Sequence, residues 1–78
     1  MKNKYELNQD LYFIHDNEVV KSKVYSVRVI HLTSQKLIDY SFFLALGTQV
    51  YVDEDNCFPS LDELFNYYRN KLDKLDLQ

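Results

Sequence analysis

The clearest pattern of apolar and polar positions lies in residues 37–52. Its apolar residues alternate, as they do in a strand that buries one face. These residues are Ile38, Tyr40, Phe42, Leu44 and Leu46. Asp39, Ser41 and Phe43 fall on the other face, which is mixed and partly wet. The only glycine follows, and glycine adopts positive φ at little cost, so we expect a two-residue turn at Gly47-Thr48 and then a second strand.

The chain before this pair of strands also has the pattern of an antiparallel sheet. Residues 11–15 alternate as a short strand, and Asp16-Asn17 is a turn dipeptide. Residues 18–32 predict a long strand, but their apolar positions change phase part-way along. A phase change of this kind indicates a bulge or a sharp bend, which would let a small sheet curl towards a barrel.

The C-terminal segment predicts an amphipathic helix over residues 61–75. Ser60 is a suitable N-cap, and Glu63 stands three residues later, as in a capping box. Apolar residues follow with helical spacing and form one stripe: Leu61, Leu64, Phe65, Tyr68, Leu72 and Leu75. We expect Phe65 on this stripe and Phe42 on the sheet to be core residues.

The predicted element order is therefore β-β-β-β-α, an α+β fold in one domain spanning residues 1–78. A polar lead-in (1–9) precedes a β-meander (10–52), and a C-terminal helix (60–75) ends the domain. Two arrangements remain open. One is a small antiparallel four-stranded sheet crossed by the helix. The other is an SH3-like, partly open barrel closed at one end by the helix.

Composition places the protein in a reducing, aqueous compartment. Cys57 is the only cysteine, which excludes an internal disulfide, and no apolar run is long enough to span a membrane. We expect a soluble, cytoplasmic protein. Its charge is uneven: residues 1–36 hold six Lys or Arg against four Asp or Glu, whereas residues 37–78 hold three against eight. An acidic half disfavours direct binding to nucleic acid.

No residue set supports catalysis, a metal or a cofactor. His15 and His31 lack further convergent ligands in the sequence, and Cys57 beside Phe58 is best explained as a small buried residue. The acidic run 53–56 lacks the spacing and the central glycine of an EF-hand loop. We therefore expect a protein that is not an enzyme and carries no cofactor.

The candidate partner-binding surface combines acidic residues with tyrosines. The run 53–55 and the start of the helix contain five carboxylates and no Lys or Arg, so they could dock on a basic groove of another protein. Seven tyrosines are many for this length, and exposed tyrosine is enriched at interfaces. The candidate residues are Tyr25, Tyr51, Asp53, Glu54, Asp55, Asp62, Glu63 and Tyr67. Self-association is left open, as is the choice between the acidic loop and the tyrosine-bearing sheet as the working surface.

The alternative hypothesis uses a small basic region in the first half of the chain. Lys21, Lys23 and Arg28 flank Tyr25, and cations interleaved with an aromatic ring can bind single-stranded nucleic acid. Three positive charges beside an acidic half make this the weaker of the two hypotheses.

Two segments carry a resemblance to known proteins. Residues 10–27, DLYFIHDNEVVKSKVYSV, resemble the opening hairpin of small SH3-like domains. Residues 52–65, VDEDNCFPSLDELF, resemble the end of small SH3-like β-barrel proteins from phages and bacterial mobile elements. The resemblance implies a phage setting, in which small acidic proteins bind and inhibit a host protein. Together these features predict a non-enzymatic, protein-binding inhibitor or modulator of a host defence protein.

Overall fold

The computed structural model describes residues 3–76, and the side chains through residue 72. Five strands form two antiparallel sheets, and a helix follows them: β1 (Asp10–His15), β2 (Glu18–Lys23), β3 (Ser26–His31), β4 (Lys36–Phe43), β5 (Gln49–Asp53) and α1 (Leu61–Asp76). The sheet orders are β1-β2 and β3-β4-β5. The α+β class and the C-terminal helix are confirmed. The count of four strands is wrong, and the two sheets do not join into a closed barrel.

The β1-β2 hairpin has the predicted two-residue turn. Asp16 and Asn17 both adopt positive φ, at 51° and 64°, and His15 pairs with Glu18 across them. Two successive residues with positive φ give the turn a twist that matches that of the paired strands. Asx residues tolerate this conformation better than other side chains do, which is why this dipeptide ends the strand.

The predicted long strand is divided at Val24-Tyr25. The N–H of Val24 donates to the carbonyl of Gln9 at 3.0 Å, whereas the N–H of Tyr25 donates to the carbonyl of Ser41 on β4 at 2.8 Å. Ser26 also pairs with Ser41, so two residues oppose one, as in a β-bulge. The phase change in the sequence therefore marks the point where the chain passes from one sheet to the other.

The core lies between the inner faces of the two sheets. Register places Val27 and Val52 on either side of Tyr40, in the middle of the three-stranded sheet. The rings of Phe13 and Phe42 meet across the gap with centroids 4.5 Å apart. The buried cluster consists of Leu11, Phe13, Val24, Ile38, Tyr40, Phe42 and Cys57. The predicted burial of alternate residues on β4 is thus confirmed as far as Phe42.

The turn after β4 differs from the prediction. The N–H of Leu44 donates to the carbonyl of Thr48 at 2.7 Å, and residues Ala45–Gly47 form a short 3-10 turn between them. Leu46 and Gly47 both adopt positive φ, at 65° and 75°. The expected two-residue turn at Gly47-Thr48 is therefore wrong. Leu46 is also wrong as a core residue, because the turn carries it away from the sheet into full solvent exposure.

The helix begins at the predicted residue and is capped by Ser60 as predicted, but it buries less of its apolar stripe than expected. The hydroxyl of Ser60 accepts the N–H of Glu63 at 3.2 Å and donates to the carboxylate of Glu63 at 3.3 Å. Leu64 is buried, whereas Phe65 is 49% exposed. The prediction that Phe65 is core is wrong, because the helix turns the Leu64 side of the stripe towards β1.

The same orientation of the helix leaves other residues of the stripe in solvent. Leu61 and Leu72 are exposed, and the side chain of Leu75 lies outside the described residues. Among residues 3–76, no helix has both the length and the apolar character that crossing a membrane requires.

Truncation of the two phenylalanines separates core from surface. Phe42→Ala leaves a cavity beneath the sheet and is expected to lower the free energy of unfolding by roughly 3–5 kcal/mol. Phe65→Ala removes a half-exposed ring and is expected to cost less than about 1 kcal/mol. Urea unfolding of both variants measures the difference, and equal losses would contradict this assignment of the core.

Removal of the helix cap has a smaller effect. Ser60→Ala leaves the N–H of Glu63 without its acceptor and is expected to lower the free energy of unfolding by about 1 kcal/mol. Ser34→Ala, in the exposed turn before β4, is the matched control. A thermal melt compares the two, and coincident midpoints would show that Ser60 does not cap the helix.

Candidate functional site

Six of the eight predicted partner-binding residues fall on two surfaces. The tyrosine face is the outer side of the three-stranded sheet, formed by Tyr25, Arg28, Asp39, Phe43 and Tyr51. The acidic hollow lies between the chain after β5 and the start of α1, and Glu54, Asp55, Glu63 and Tyr67 line it. Asp53 lies near the junction of the two surfaces, because it pairs with Asp39 in the register of β4 and β5. Asp62 is exposed in the first turn of α1 and does not line the hollow.

Three aromatic rings are open to solvent on the tyrosine face. The ring of Tyr25 stands edge-on against that of Phe43, with centroids 4.5 Å apart. The exposed fractions are 61% for Tyr25, 45% for Phe43 and 52% for Tyr51. The bulge at Tyr25-Ser26 accounts for the position of Tyr25, because both residues of a bulge lie against one residue of the neighbouring strand. Exposed rings gathered in this way form an amphipathic surface of the type found at protein interfaces.

Arg28 ties the centre of the tyrosine face together. Its guanidinium donates to both carboxylate oxygens of Asp39, with Nη2 2.7 Å from Oδ2 and Nε 3.1 Å from Oδ1. The guanidinium carbon also lies 4.5 Å from the centre of the Tyr51 ring on the far side of β4. The hydrogen bond to Asp39 raises the pKa of Arg28. Arg28 therefore stays protonated, and the carboxylate of Asp39 balances its charge.

The acidic hollow has a volume of about 350 Å³, and its lining contains three carboxylates and one cation, Lys4. Tyr5 also lines it, and its hydroxyl donates to the carbonyl of Cys57 at 3.3 Å. The pKa of Tyr5 is raised first by burial and then by the nearby carboxylates, Glu63 foremost among them. Of the five predicted acidic residues, the structure brings Glu54, Asp55 and Glu63 together at the hollow, whereas Asp53 and Asp62 do not line it.

Glu54 has a structural task within the hollow. Its Oε2 accepts the hydroxyl of Tyr40 at 2.6 Å and the N–H of Lys4 at 2.8 Å. Burial, and then this hydrogen bond, raise the pKa of Tyr40. Glu54 is therefore not a free member of the acidic run 53–55. Its charge is used inside the protein, whereas Asp53 and Asp55 are exposed.

Tyr67 packs mainly against its own chain. Its ring lies 5.2 Å from that of Phe58 and 5.0 Å from that of Tyr68, and the ammonium of Lys71 stands 5.2 Å from its centre. The ring of Tyr67 that lines the acidic hollow is therefore also in contact with three neighbouring side chains.

The cations of the alternative hypothesis contact other side chains of this chain. Lys23 lies 3.1 Å from Asp10, and the ammonium of Lys21 stands 5.8 Å from the centre of the Tyr12 ring. Arg28 is held by Asp39, as described above. Phosphate groups would have to compete with these contacts, and Asp53 would repel them.

The residues with catalytic or metal-binding potential lie apart. His15 Nε2 lies 3.4 Å from Asp16 Oδ2, His31 ends β3, and Cys57 is buried with its thiol 3.9 Å from the carbonyl of Val52. Burial raises the pKa of Cys57 to about 12, and nearby carboxylates add to the effect. Within residues 3–76, no three His, Cys, Asp or Glu side chains converge as metal ligands.

Phe43 and Asp39 belong to the tyrosine face but were not predicted as site residues. Both lie on the mixed face of β4, opposite the apolar alternation. The signal that could have identified Phe43 is an aromatic residue at a position that alternation assigns to solvent.

Comparisons with protein-family models, with curated proteins and with solved structures found no match to this chain.

The raised pKa of Cys57 predicts a loss of stability at high pH. From the ordinary thiol pKa near 9 up to about 12, the folded protein keeps a proton that the unfolded chain releases. Stability is thus complete below pH 9 and falls as pH rises, by about 1.4 kcal/mol per pH unit. Urea unfolding across this range is expected to show a steeper decline for the wild type than for Cys57→Ala. Tyrosine ionisation is common to both, so parallel declines would contradict the assignment.

Proposed function

We propose that this chain is a small, non-enzymatic protein-binding domain whose tyrosine face and neighbouring acidic residues contact a basic surface of a partner. The observation that carries the proposal is the continuity of exposed rings with exposed carboxylates. Tyr51 and Asp53 lie two residues apart on β5 and so share the outer face of the sheet. Asp55 extends the charge beyond the end of the strand.

The rings supply the contact area that a stable complex needs. Tyrosine and phenylalanine bury a large apolar surface with few rotatable bonds, and residues of this type dominate the energetic centres of interfaces. Arg28 and Asp39 keep the centre of the face polar without leaving an unpaired charge there. A partner can therefore cover this pair without desolvating an isolated ion.

The free carboxylates supply orientation and partner choice. Asp53 and Asp55 are exposed and lie outside the ion pairs of the described residues. Carboxylates at the rim of an interface steer a basic partner towards it and disfavour acidic ones. The same charges argue against direct binding to a phosphate backbone.

The non-enzymatic part of the proposal is supported by the separation of reactive side chains. General acid–base and nucleophilic catalysis need groups within hydrogen-bond reach of one another. His15 and His31 lie on different sheets, and the Cys57 thiol is protonated at neutral pH.

The finer proposal is that the partner is a host defence protein and that this chain is a phage-type inhibitor of it. Acidic side chains arrayed beside aromatic rings can occupy a basic groove that otherwise receives nucleic acid. The charge of the second half of the chain and the sequence resemblance to small proteins of phages and mobile elements support this proposal.

Charge reversal and ring removal test the proposed surface. Tagged chain captures proteins from a bacterial extract, each candidate is purified, and its affinity for the chain is measured by titration. We expect Asp53→Lys with Asp55→Lys, and separately Tyr25→Ala, to weaken binding at least about tenfold. Glu54 is left unchanged because it holds Tyr40. Thermal melts verify that the variants remain folded.

The matched control is Glu6→Lys with Glu18→Lys, which makes the same change in net charge at two exposed positions away from the tyrosine face. It is expected to retain binding. Equal losses in both charge-reversed variants would contradict a defined surface. Oligonucleotide binding at about 0.15 M salt that is lost on Lys21→Glu with Lys23→Glu would instead establish the nucleic-acid module.

A further inference from the structure

A groove of about 720 Å³ runs along one edge of β5. Four consecutive residues of the strand line it: Val50, Tyr51, Val52 and Asp53. Successive side chains of a strand point to opposite faces, so a groove over one face would be lined by every second residue. A groove lined by all four follows the edge of the strand, where main-chain N–H and C=O groups face outwards.

The main-chain groups of Tyr51 point into this groove. In the register, Tyr51 lies opposite Ser41, but the carbonyl of Ser41 accepts the N–H of Tyr25 on the β3 side. In an antiparallel pair the ladder bonds fall on alternate residues, so Val50 and Val52 bond to β4. The N–H and C=O of Tyr51 are thus directed to the edge that no strand of residues 3–76 covers.

The opposite wall of the groove contains a second unpaired strand edge. Ile14 and His15 of β1 line this wall together with α1. Tyr12 exchanges two main-chain hydrogen bonds with Phe58, at 2.7 and 2.9 Å, on the side of β1 away from β2. Because main-chain groups alternate in direction along a strand, the N–H and C=O of Ile14 point to that same side. The gap that keeps the two sheets from closing into a barrel is therefore bordered by strand edges on both sides.

We infer that this groove binds an extended segment of a partner protein, which adds a strand between β5 and β1. The inference deepens the proposed function and rests on it, since the partner is again a protein. A strand residue in a packed sheet occupies roughly 160 Å³, from a rise of about 3.3 Å, a strand spacing of about 4.8 Å and a sheet separation of about 10 Å. The groove thus accepts about four residues, close to the length of β5.

Charge defines the chemistry of the segment. Lys71 lines the groove, and its ammonium stands over the rings of Tyr67 and Tyr68 with no carboxylate partner among the described residues. Asp53 lies on the β5 wall. The segment that fits is extended, carries apolar side chains towards Ile14 and has an acidic residue on the helix side, beside Lys71. Main-chain bonding supplies affinity and the side chains supply selectivity, as in other strand-addition complexes.

Selection of displayed peptides followed by amide exchange tests the inference. Random linear peptides displayed on phage are selected on the full chain, and one selected peptide is synthesised. At saturation, we expect amide exchange of Tyr51 and Ile14 to slow at least about tenfold, because each gains a main-chain acceptor. The amide of Val52 already lies in the β4-β5 ladder and is expected to change little. Methylation of the peptide amides that face Tyr51 is expected to abolish binding.

Matched substitutions on α1 test the role of the Lys71 charge. Lys71→Glu is expected to weaken binding of the selected peptide about tenfold. Arg69→Glu makes the same charge change on another side of the helix and is expected to preserve binding. Unchanged exchange at Tyr51 on peptide binding, or no peptide enriched on the wild-type chain over Lys71→Glu, would overturn the inference. If the inference fails in this way but Tyr25→Ala still weakens the binding of a folded partner protein, the proposed function stands, because Tyr25 lies outside the groove.

Discussion

The buried hydroxyl of Tyr40 is the polar group on which most of the structure depends. Its ring lies wholly within the core, so the hydroxyl is cut off from water and needs partners from the chain. The hydroxyl donates a hydrogen bond to Glu54, and the main-chain N–H of Tyr5 donates to its oxygen. One side chain thereby fixes the lead-in to the sheet, places Glu54 and sets one wall of the acidic hollow.

Four carboxylates, those of Asp39, Asp53, Glu54 and Asp55, divide into two groups with different tasks. Glu54 and Asp39 are bound to Tyr40 and Arg28, and they stabilise the fold at the cost of their own freedom to contact a partner. Asp53 and Asp55 stay exposed beside them. Net charge treats all four alike, but only the free pair contributes to the field that a partner meets. The proposed surface is therefore smaller and more localised than the composition indicates.

Local rules predicted the features that local geometry determines. Alternation placed Phe42 in the core, the Asp16-Asn17 dipeptide predicted a turn, and Ser60 predicted the cap of α1. Each of these depends on a few neighbouring residues. Leu46 could not be predicted in the same way, because it lies within the turn that reverses the chain after β4.

The remaining errors have tertiary causes. A helical stripe shows which residues are apolar but not which part of the stripe meets the sheet, and Phe65 is exposed because Leu64 occupies that contact. Glu54 was indistinguishable in sequence from Asp53 and Asp55, since its partner Tyr40 lies on another strand. The tyrosine face was only half predicted, because the bulge that brings Tyr25 to Phe43 is formed by pairing with Ser41.

The change of sheet at Val24-Tyr25 also shapes how the chain can fold. It divides the strands into a hairpin and a three-stranded meander, each made of segments adjacent in sequence. Pairings of this kind close short loops, which lowers their entropic cost and favours early formation. The contact between Phe13 and Phe42 joins units that are distant along the chain. Bringing the two sheets together across these rings therefore closes longer loops and carries a larger entropic cost than either set of local pairings.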